Sequence, residues 1–189
     1  MLGNTLQSLD VTIKYKKLGN WRDLKIVSFT DSSYRNADDA TKSVGGRFIA
    51  LANSEGECSP LIWKSKTIQQ VCKSVKTAET RSLNEGMEDA IYLSQLVHEI
   101  YTGKVNEGHI PVEVFIDSKT LHDSIISSKP VLEKTIRHII AWMKQQIESN
   151  VVDKVSVVSS QDNVADVFTK QGVNTDLILK VVQTGTLNR

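Results

Sequence analysis

The chain has 189 residues, of which 40% are hydrophobic, enough for the core of one ordinary domain. Its 23 basic and 22 acidic residues leave a formal charge of +1. This balance excludes a generally polycationic nucleic-acid binder, so any nucleic-acid contact must depend on a local patch.

Residues 1–24 have only a weak hydrophobic pattern, and the residues that follow, to about residue 64, predict three strands. β-Branched and aromatic residues over 25–30 indicate the first strand, which ends at Asp31. A polar loop through Asp38 and Asp39 leads to a second strand over 45–51. The turn at 53–56 and a third strand over 60–64 complete an antiparallel meander.

The pattern then alternates between helix and strand. We predict helices over 77–101, 118–127, 131–149 and 162–170, strands over 112–116 and 155–158, and a helical tail over 175–182. Pro130 separates the second and third of these helices. This order predicts an α/β fold with a mixed sheet, helices on both faces, and the first and fourth strands as parallel neighbours.

Two of the predicted strands end in an aspartate, Asp31 and Asp117. If these strands are parallel neighbours, both carboxylates emerge at the same edge of the sheet, where open α/β sheets bind ligands. Taken singly, each aspartate is equally typical of a turn or a helix N-cap.

Glu79 and Asp166 are two further acidic candidates. Glu79 lies in the first turn of the long helix and on its apolar face, where a carboxylate is costly unless it is paired or binds a cation. The alternative is that the helix N-terminus favours its negative charge. Asp166 borders the apolar face of the predicted helix over 162–170, and its alternative is a solvated acid. Four converging carboxylates without a His or Cys cluster predict an oxygen-only site that suits Mg²⁺ or Mn²⁺.

The sequence resembles the ribonuclease H family, and most nearly the ribonuclease H domain of copia-type (Pseudoviridae) retrotransposon Pol polyproteins. The four acids follow that family's order of Asp, Glu, Asp and Asp. The phrases that carry the resemblance are Phe29-Thr-Asp-Ser-Ser-Tyr, Ile62-Trp-Lys-Ser-Lys, Thr77-Ala-Glu, Asp117-Ser-Lys and Ser160-Gln-Asp-Asn-Val-Ala-Asp-Val-Phe-Thr-Lys. The last phrase is the most specific of them, and the resemblance spans residues 22–172.

The resemblance implies a ribonuclease H-like fold with a five-stranded mixed sheet and hydrolysis of the RNA strand of RNA–DNA hybrids during reverse transcription. Asp31, Glu79, Asp117 and Asp166 are then the catalytic residues and the ligands of two Mg²⁺ ions, which Mn²⁺ can replace, and the products carry 5′-phosphates. The implied partners are the hybrid and a reverse transcriptase domain. We expect no membrane segment and no small-molecule cofactor.

The resemblance also sets expectations for organisation and location. Residues 1–21 correspond to a connection from reverse transcriptase, 22–172 to the ribonuclease H-like domain, and 173–189 to a tail. The start of the chain lacks the pattern of a signal peptide, and Cys58 and Cys72 have no metal-binding spacing. We therefore expect an intracellular protein, in a cytoplasmic virus-like particle or the nucleus.

Six residues are candidates for contacting nucleic acid. Ser74 and Lys76 precede Glu79, where cellular family members grip a DNA phosphate, and Lys119 follows Asp117 in the resembling phrase. Lys64, Lys66 and Arg81 belong to a basic stretch, although lysines protecting a solvated edge strand explain it equally well.

The chain departs from cellular family members in one respect. It has no histidine in the loop before Asp166, which predicts slower turnover than in members that carry one. Two alternatives stay open: a catalytically silent structural or connection module with the same fold, and a structure-selective nuclease such as a Holliday-junction resolvase.

Overall fold

The computed structural model describes residues 11–35, 42–129 and 131–187. The predicted loop through Asp38 and Asp39, and Pro130, lie outside these residues. The helices and strands, in chain order, are β1 (Lys25–Ser33), β2 (Ser43–Ala52), β3 (Cys58–Ile68), α1 (Val75–Thr102), β4 (Val112–Ile116), α2 (Lys119–Ile126), α3 (Lys134–Glu148), β5 (Lys154–Val157) and α4 (Asp176–Thr184).

The strands form one sheet in the order β3-β2-β1-β4-β5. β1, β2 and β3 pair as an antiparallel meander, whereas β1 pairs with β4, and β4 with β5, in parallel. The predicted five-stranded mixed sheet, with the first and fourth strands as parallel neighbours, is confirmed. Parallel pairing needs crossover connections, and α1 supplies that between the meander and β4, while α2 and α3 supply the next.

Helices α1, α2 and α3 cover one face of the sheet. Because side chains alternate along a strand, Ile26 of β1 and Val112 of β4 point to this face. They pack against fully buried residues such as Leu83 and Met87 of α1 and Met143 of α3. This larger core holds α1 against the centre of the sheet, which determines where the N-terminal turn of α1 lies.

The opposite face is covered by α4 and by the chain before β1. Val27 and Phe29 of β1 point to this side and belong to one cluster with Val181 and Val182 of α4. Val11 and Ile13 pack against the same cluster, and the Lys14 amide donates to the Val182 carbonyl at 2.7 Å. Helices therefore lie on both faces, as predicted, and the predicted tail helix is present as α4.

Three local predictions need correction. β3 spans Cys58–Ile68 and not only 60–64, because its pairing with β2 extends to Ile68 opposite Ser43. β1 continues beyond Thr30 to Ser33, because its pairing with β2 extends to Ser33 opposite Val44. The segment predicted as a helix over 162–170 consists instead of two short 3-10 turns, Ser160–Asp162 and Asp166–Phe168. In the described part of the chain, no helix combines the length and hydropathy that crossing a membrane requires.

Candidate active site

A cleft opens where β1 and β4 stop pairing. Their parallel register ends at Phe29 opposite Phe115, although β1 continues along β2 to Ser33. Asp31 therefore lies on β1 just beyond the last paired residues, and Asp117 follows the end of β4 directly. Both carboxylates thus lie at the carboxyl edge of two parallel neighbours, which is where the sequence analysis expected them.

Asn163 brings the segment with Asp166 to this edge. Its side chain is buried, and its amide donates to the Thr30 carbonyl at 3.0 Å. The same side chain accepts a hydrogen bond from the Ala165 amide at 3.1 Å, which forms a local turn in place of a continuous helix. This pair of hydrogen bonds is the physical reason why the predicted helix over 162–170 is absent.

Gly46 of β2 allows the same segment to lie close to the sheet. A Cβ atom at Gly46 would lie 2.6 Å from Thr169 Cγ2 and 2.9 Å from Phe168 Cβ, closer than van der Waals contact allows. Gly46 is also the residue of β2 that pairs with Asp31. The missing side chain therefore lets residues 165–169 pack directly beside Asp31.

The structure brings Asp31, Asp117 and Asp166 together. One carboxylate oxygen from each lies within 4.8 Å of the others. Asp31 is buried, with 7% of its surface exposed, whereas Asp117 and Asp166 are half-buried. The Ser160 hydroxyl donates to Asp117 at 2.9 Å, and the Thr169 hydroxyl donates to Asp31. We refer to these three residues as the aspartate cluster.

Glu79 lies beside the aspartate cluster but is not one of its members. It is half-buried and, with Asp31 and Asp117, lines a narrow cleft. The Ser118 hydroxyl donates to its carboxylate at 2.6 Å. Burial raises the pKa of Glu79, and the nearby Asp117 raises it further against the opposing effects of Ser118 and Lys76. The carboxylate of Glu79 therefore lies at the cleft, hydrogen-bonded to Ser118 and close to Asp117.

Small residues on α1 determine how closely Glu79 approaches β1. The Ser82 hydroxyl donates to the Asp31 carbonyl at 2.6 Å. One turn later, a Cβ atom at Gly86 would lie 2.3 Å from Thr30 Cγ2, so only glycine fits at this contact. These contacts place the first turn of α1, and with it Glu79, at the end of β1.

Lys170 and Thr169 belong to the site but were missed by the sequence analysis. Lys170 Nζ forms an ion pair with Asp166 and lies 3.7 Å from Asp31 Oδ2. Burial disfavours the charge of Lys170, but the hydrogen bond to Asp166 and the charges of Asp31, Asp166 and Asp117 outweigh it and raise its pKa. Thr169 and Lys170 lie three and four residues after Asp166. These spacings could have identified both residues as neighbours of Asp166, because they bring side chains together in a helical turn.

The buried position of Asp31 beside two other acids predicts that its charge lowers the stability of the protein at neutral pH when no divalent cation is bound. Burial, together with Asp117 and Asp166, raises the pKa of Asp31 from 3.8 to about 6 despite Thr169 and Lys170. Its neutral form is therefore favoured by folding, and this contribution is present below pH 4 and lost as the pH rises to 6. We expect Asp31→Asn to raise the free energy of unfolding by about 1–3 kcal/mol at pH 7 in EDTA.

The gain should shrink towards pH 4, because Asp31 becomes protonated in the folded state as the pH falls through 6 and begins to be protonated in the unfolded state near pH 4. Urea denaturation of both proteins across this pH range measures it. Asp123→Asn is the matched control, since Asp123 is exposed on α2 and should show no such pH-dependent gain. An equal stability difference at pH 4 and pH 7 would contradict the prediction.

Of the six candidate nucleic-acid residues, three lie near α1 and β3. Lys64 and Lys66 are exposed on the same face of β3, and Lys66 forms an ion pair with Glu85 of α1 at 3.6 Å. Arg81, one turn before Glu85, donates to Gln70 at 2.7 Å. These three side chains flank one side of α1.

The other three lie at the start of α1 and α2. Ser74 is the N-cap of α1 and accepts from the Thr77 amide at 3.1 Å. Lys76 donates to Ser124 of α2 at 2.6 Å, and Lys119 is exposed at the first position of α2. Ser74 and Lys76 therefore have intramolecular partners that a phosphate contact would have to replace or share.

The donor set of the site fits a hard divalent cation. The aspartate cluster offers only oxygen ligands, and Mg²⁺ and Mn²⁺ prefer carboxylate oxygen. Burial is the largest cause of the raised pKa of Asp31, so its carboxylate lacks the solvation that would stabilise a negative charge, and Asp117 and Asp166 add repulsion. A divalent cation would supply the compensating positive charge.

Comparison with solved structures identifies the fold. LC11-RNase H1, isolated from compost by a metagenomic approach and solved in complex with an RNA/DNA hybrid, is 19% identical with a TM-score of 0.52, covering 76% of this chain and 93% of the other. The N-terminal RNase H domain of rv2228c from Mycobacterium tuberculosis is 17% identical, with a TM-score of 0.53 and coverages of 86% and 99%. The chain therefore has a ribonuclease H-like fold.

A viral structure has the same fold. The foamy viral protease-reverse transcriptase in complex with dsDNA is 16% identical, with a TM-score of 0.52, and the match covers 82% of this chain and 98% of the other. No protein-family model matches the sequence, and no curated protein matches it.

Proposed function

We propose that this protein hydrolyses the RNA strand of RNA–DNA hybrids, with Asp31, Glu79, Asp117 and Asp166 as catalytic and metal-binding residues. The observation that carries the proposal is the convergence of three carboxylate oxygens within 4.8 Å at the carboxyl edge of parallel strands. The ribonuclease H-like fold and the order of the four acids in the sequence support the same assignment. The solved structures share 16–19% sequence identity with this chain and support its fold. The proposed activity is argued from the arrangement of the acidic residues.

Neighbouring hydroxyl groups orient three of the four acids. Thr169 donates to Asp31, Ser160 to Asp117 and Ser118 to Glu79. Each hydrogen bond restricts the rotation of a carboxylate and leaves its other oxygen available to a cation. The chain thus holds the ligands in place before a metal or a substrate arrives, which lowers the cost of organising them during the reaction.

The metal would be held by the aspartate cluster, with Glu79 completing the set from across the cleft. When bound there, a pair of Mg²⁺ or Mn²⁺ ions would supply activation of the attacking water and stabilisation of the leaving 3′ oxygen, which would leave 5′-phosphates on the products. The buried position of Asp31 keeps bulk water from one side of the site and strengthens its interaction with a cation.

The hybrid would lie across the ends of α1, α2 and β3. Lys64, Lys66 and Arg81 on one side of Glu79, and Ser74, Lys76 and Lys119 on the other, are the proposed phosphate contacts. A protein recognises such a duplex mainly by backbone shape and 2′-hydroxyl groups, so cleavage should depend little on sequence. The formal charge of +1 favours weak, salt-sensitive affinity.

The biological setting belongs to the same proposal. The resemblance to copia-type Pol polyproteins suggests that the protein serves reverse transcription of a retrotransposon, in a cytoplasmic virus-like particle or the nucleus. A reverse transcriptase domain would then precede residues 1–21, and residues 22–172 would be the catalytic domain. The match to the foamy viral protease-reverse transcriptase supports the fold that this arrangement needs.

The proposal predicts selective, metal-dependent cleavage. Incubated with matched RNA–DNA hybrid, RNA duplex and four-way DNA junction in Mg²⁺ or Mn²⁺, the protein should cut only the RNA strand of the hybrid. EDTA should abolish cleavage, and the end chemistry of the products should show 5′-phosphates. Asp31→Asn provides the control for a contaminating nuclease.

Each other outcome has a distinct meaning. Cleavage of the junction in preference to the hybrid would identify a structure-selective nuclease. Absence of cleavage on all three substrates, in protein that binds Mn²⁺ and is folded, would identify a catalytically silent module. Cleavage that persists in EDTA would contradict the role proposed for the four acids.

A further inference from the structure

Lys170 places a positive charge against the aspartate cluster. Its ammonium group donates to Asp166 Oδ1 and lies 3.7 Å from Asp31 Oδ2. Asp31 and Asp166 both belong to the aspartate cluster, which is the proposed metal site. A cation supplied by the chain itself therefore already contacts two of the three aspartates.

The local backbone holds the stem of Lys170 near these oxygens. The amides of Thr169 and Lys170 both donate to the Asp166 carbonyl at 3.2 Å, so the chain makes a turn that brings the lysine back over Asp166. Thr169 is buried beside Gly46 and donates to Asp31, which fixes the residue immediately before the lysine. The position of Lys170 thus follows from a buried anchor and a tight turn.

The ammonium end of the Lys170 side chain is open to solvent on one side. Its side chain is 41% exposed, whereas that of Asp31 is 5% exposed. A long, flexible lysine with this exposure can swing its ammonium group into solvent while its stem stays in place. The contact with the aspartates can therefore be broken without unfolding the segment.

An ammonium group and a divalent cation compete for the same oxygens. Three carboxylates this close repel one another, and Lys170 offsets part of that repulsion. A divalent cation bound to the same carboxylates would lie within a few ångströms of the ammonium group and repel it. Metal binding must then displace the Lys170 ammonium group, or the repulsion between the two cations lowers the affinity for the metal.

We propose that Lys170 is a built-in counter-ion that stabilises the metal-free aspartate cluster and lowers its affinity for divalent cations by competing for Asp31 and Asp166. This inference rests on the proposed function, because it assumes that the cluster is the metal site. Lys170 is a positioning residue in this role, and it acts on the reaction through the occupancy of the site.

The variant Lys170→Gln tests the competition. It keeps a polar side chain of similar length and removes the charge. Isothermal titration calorimetry with Mn²⁺ alone should show a Kd about tenfold lower than that of the wild-type protein, a coupling of ordinary size between two linked sites. In EDTA at pH 7 the Tm of the variant should fall by about 3 °C, since the carboxylate repulsion is no longer offset.

Lys104→Gln is the matched control. Lys104 lies in the loop after α1, and its exposed ion pair with Glu107 does not involve the cluster, so the Kd for Mn²⁺ should not change. Lys170→Arg restores the charge and should return the Kd towards the wild-type value.

The results separate this inference from the proposed function. Wild-type protein that binds Mn²⁺ with the same Kd as Lys170→Gln, or more tightly, would overturn the competition while leaving the metal site in place. Absence of Mn²⁺ binding by both proteins would overturn the metal site and the competition together. Tighter binding by Lys170→Gln with a lower Tm in EDTA supports the proposal.

Discussion

Replacing Asp117 with asparagine should reduce metal-dependent cleavage of an RNA–DNA hybrid by on the order of 10³-fold or more. Asparagine removes the negative charge that a divalent cation needs while keeping an oxygen that can accept from Ser160. Loss of one carboxylate also relieves repulsion within the aspartate cluster, so the metal-free variant should be as stable as the wild-type protein or more stable. Single-turnover cleavage and thermal unfolding in EDTA measure the two effects.

Asp162→Asn is the control for this experiment. Asp162 lies in the same segment as Asp166, but it is exposed and accepts a hydrogen bond from Ser159 at 2.6 Å. The Asp162→Asn variant should therefore cleave the hybrid at nearly the wild-type rate. If Asp117→Asn cleaved at the wild-type rate, Asp117 would not belong to the catalytic site.

Deleting residues 173–189 should destabilise the fold severely. The deletion removes Val181, Val182 and Leu187, all of which are buried against the sheet face that carries Phe29 and Phe48. At about 1.5–3 kcal/mol for each buried side chain, the loss is about 5–9 kcal/mol. That is comparable with the whole stability of a small domain, so we expect no cooperative unfolding transition in circular dichroism above about 40 °C.

The deletion also removes backbone hydrogen bonds. The Cys58 amide donates to the Gly185 carbonyl, and the Leu187 amide donates to the Gly56 carbonyl, each at 2.8 Å. Val181→Ala should show a smaller loss in the same direction, whereas Lys180→Ala, at an exposed position of α4, should unfold like the wild-type protein. A truncated chain that melts at the wild-type temperature would mean that residues 1–172 fold independently of the tail.

Much of the fold was predictable because its signals are local. The apolar and β-branched residues over 25–30 and 112–116 identify strands without reference to any other part of the chain. The order of strands and helices, combined with the rules for parallel connections, then predicted that the first and fourth strands are neighbours. Asp31 and Asp117 could be placed at one edge for the same reason.

The errors occurred where distant residues decide local structure. β1 extends to Ser33 because β2 continues to pair with it, and the periodicity of residues 25–30 contains no information about that partner. Residues 162–170 have a helical pattern. The buried side-chain amide of Asn163 donates a hydrogen bond to the Thr30 carbonyl, and this contact prevents the helix from forming. Tertiary hydrogen bonds of this kind override local propensity.

The sequence by itself determined the order of the elements and, with the rules for parallel connections, the mixed sheet, and it proposed four candidate acids. Only the tertiary structure decided that three of these acids lie together, that Glu79 lies beside them, and that Lys170 forms ion pairs with two of the three. The physical reason is that the charge state of a carboxylate depends on the atoms around it. For Asp31 those atoms include the hydroxyl of Thr169, which lies 138 residues further along the chain.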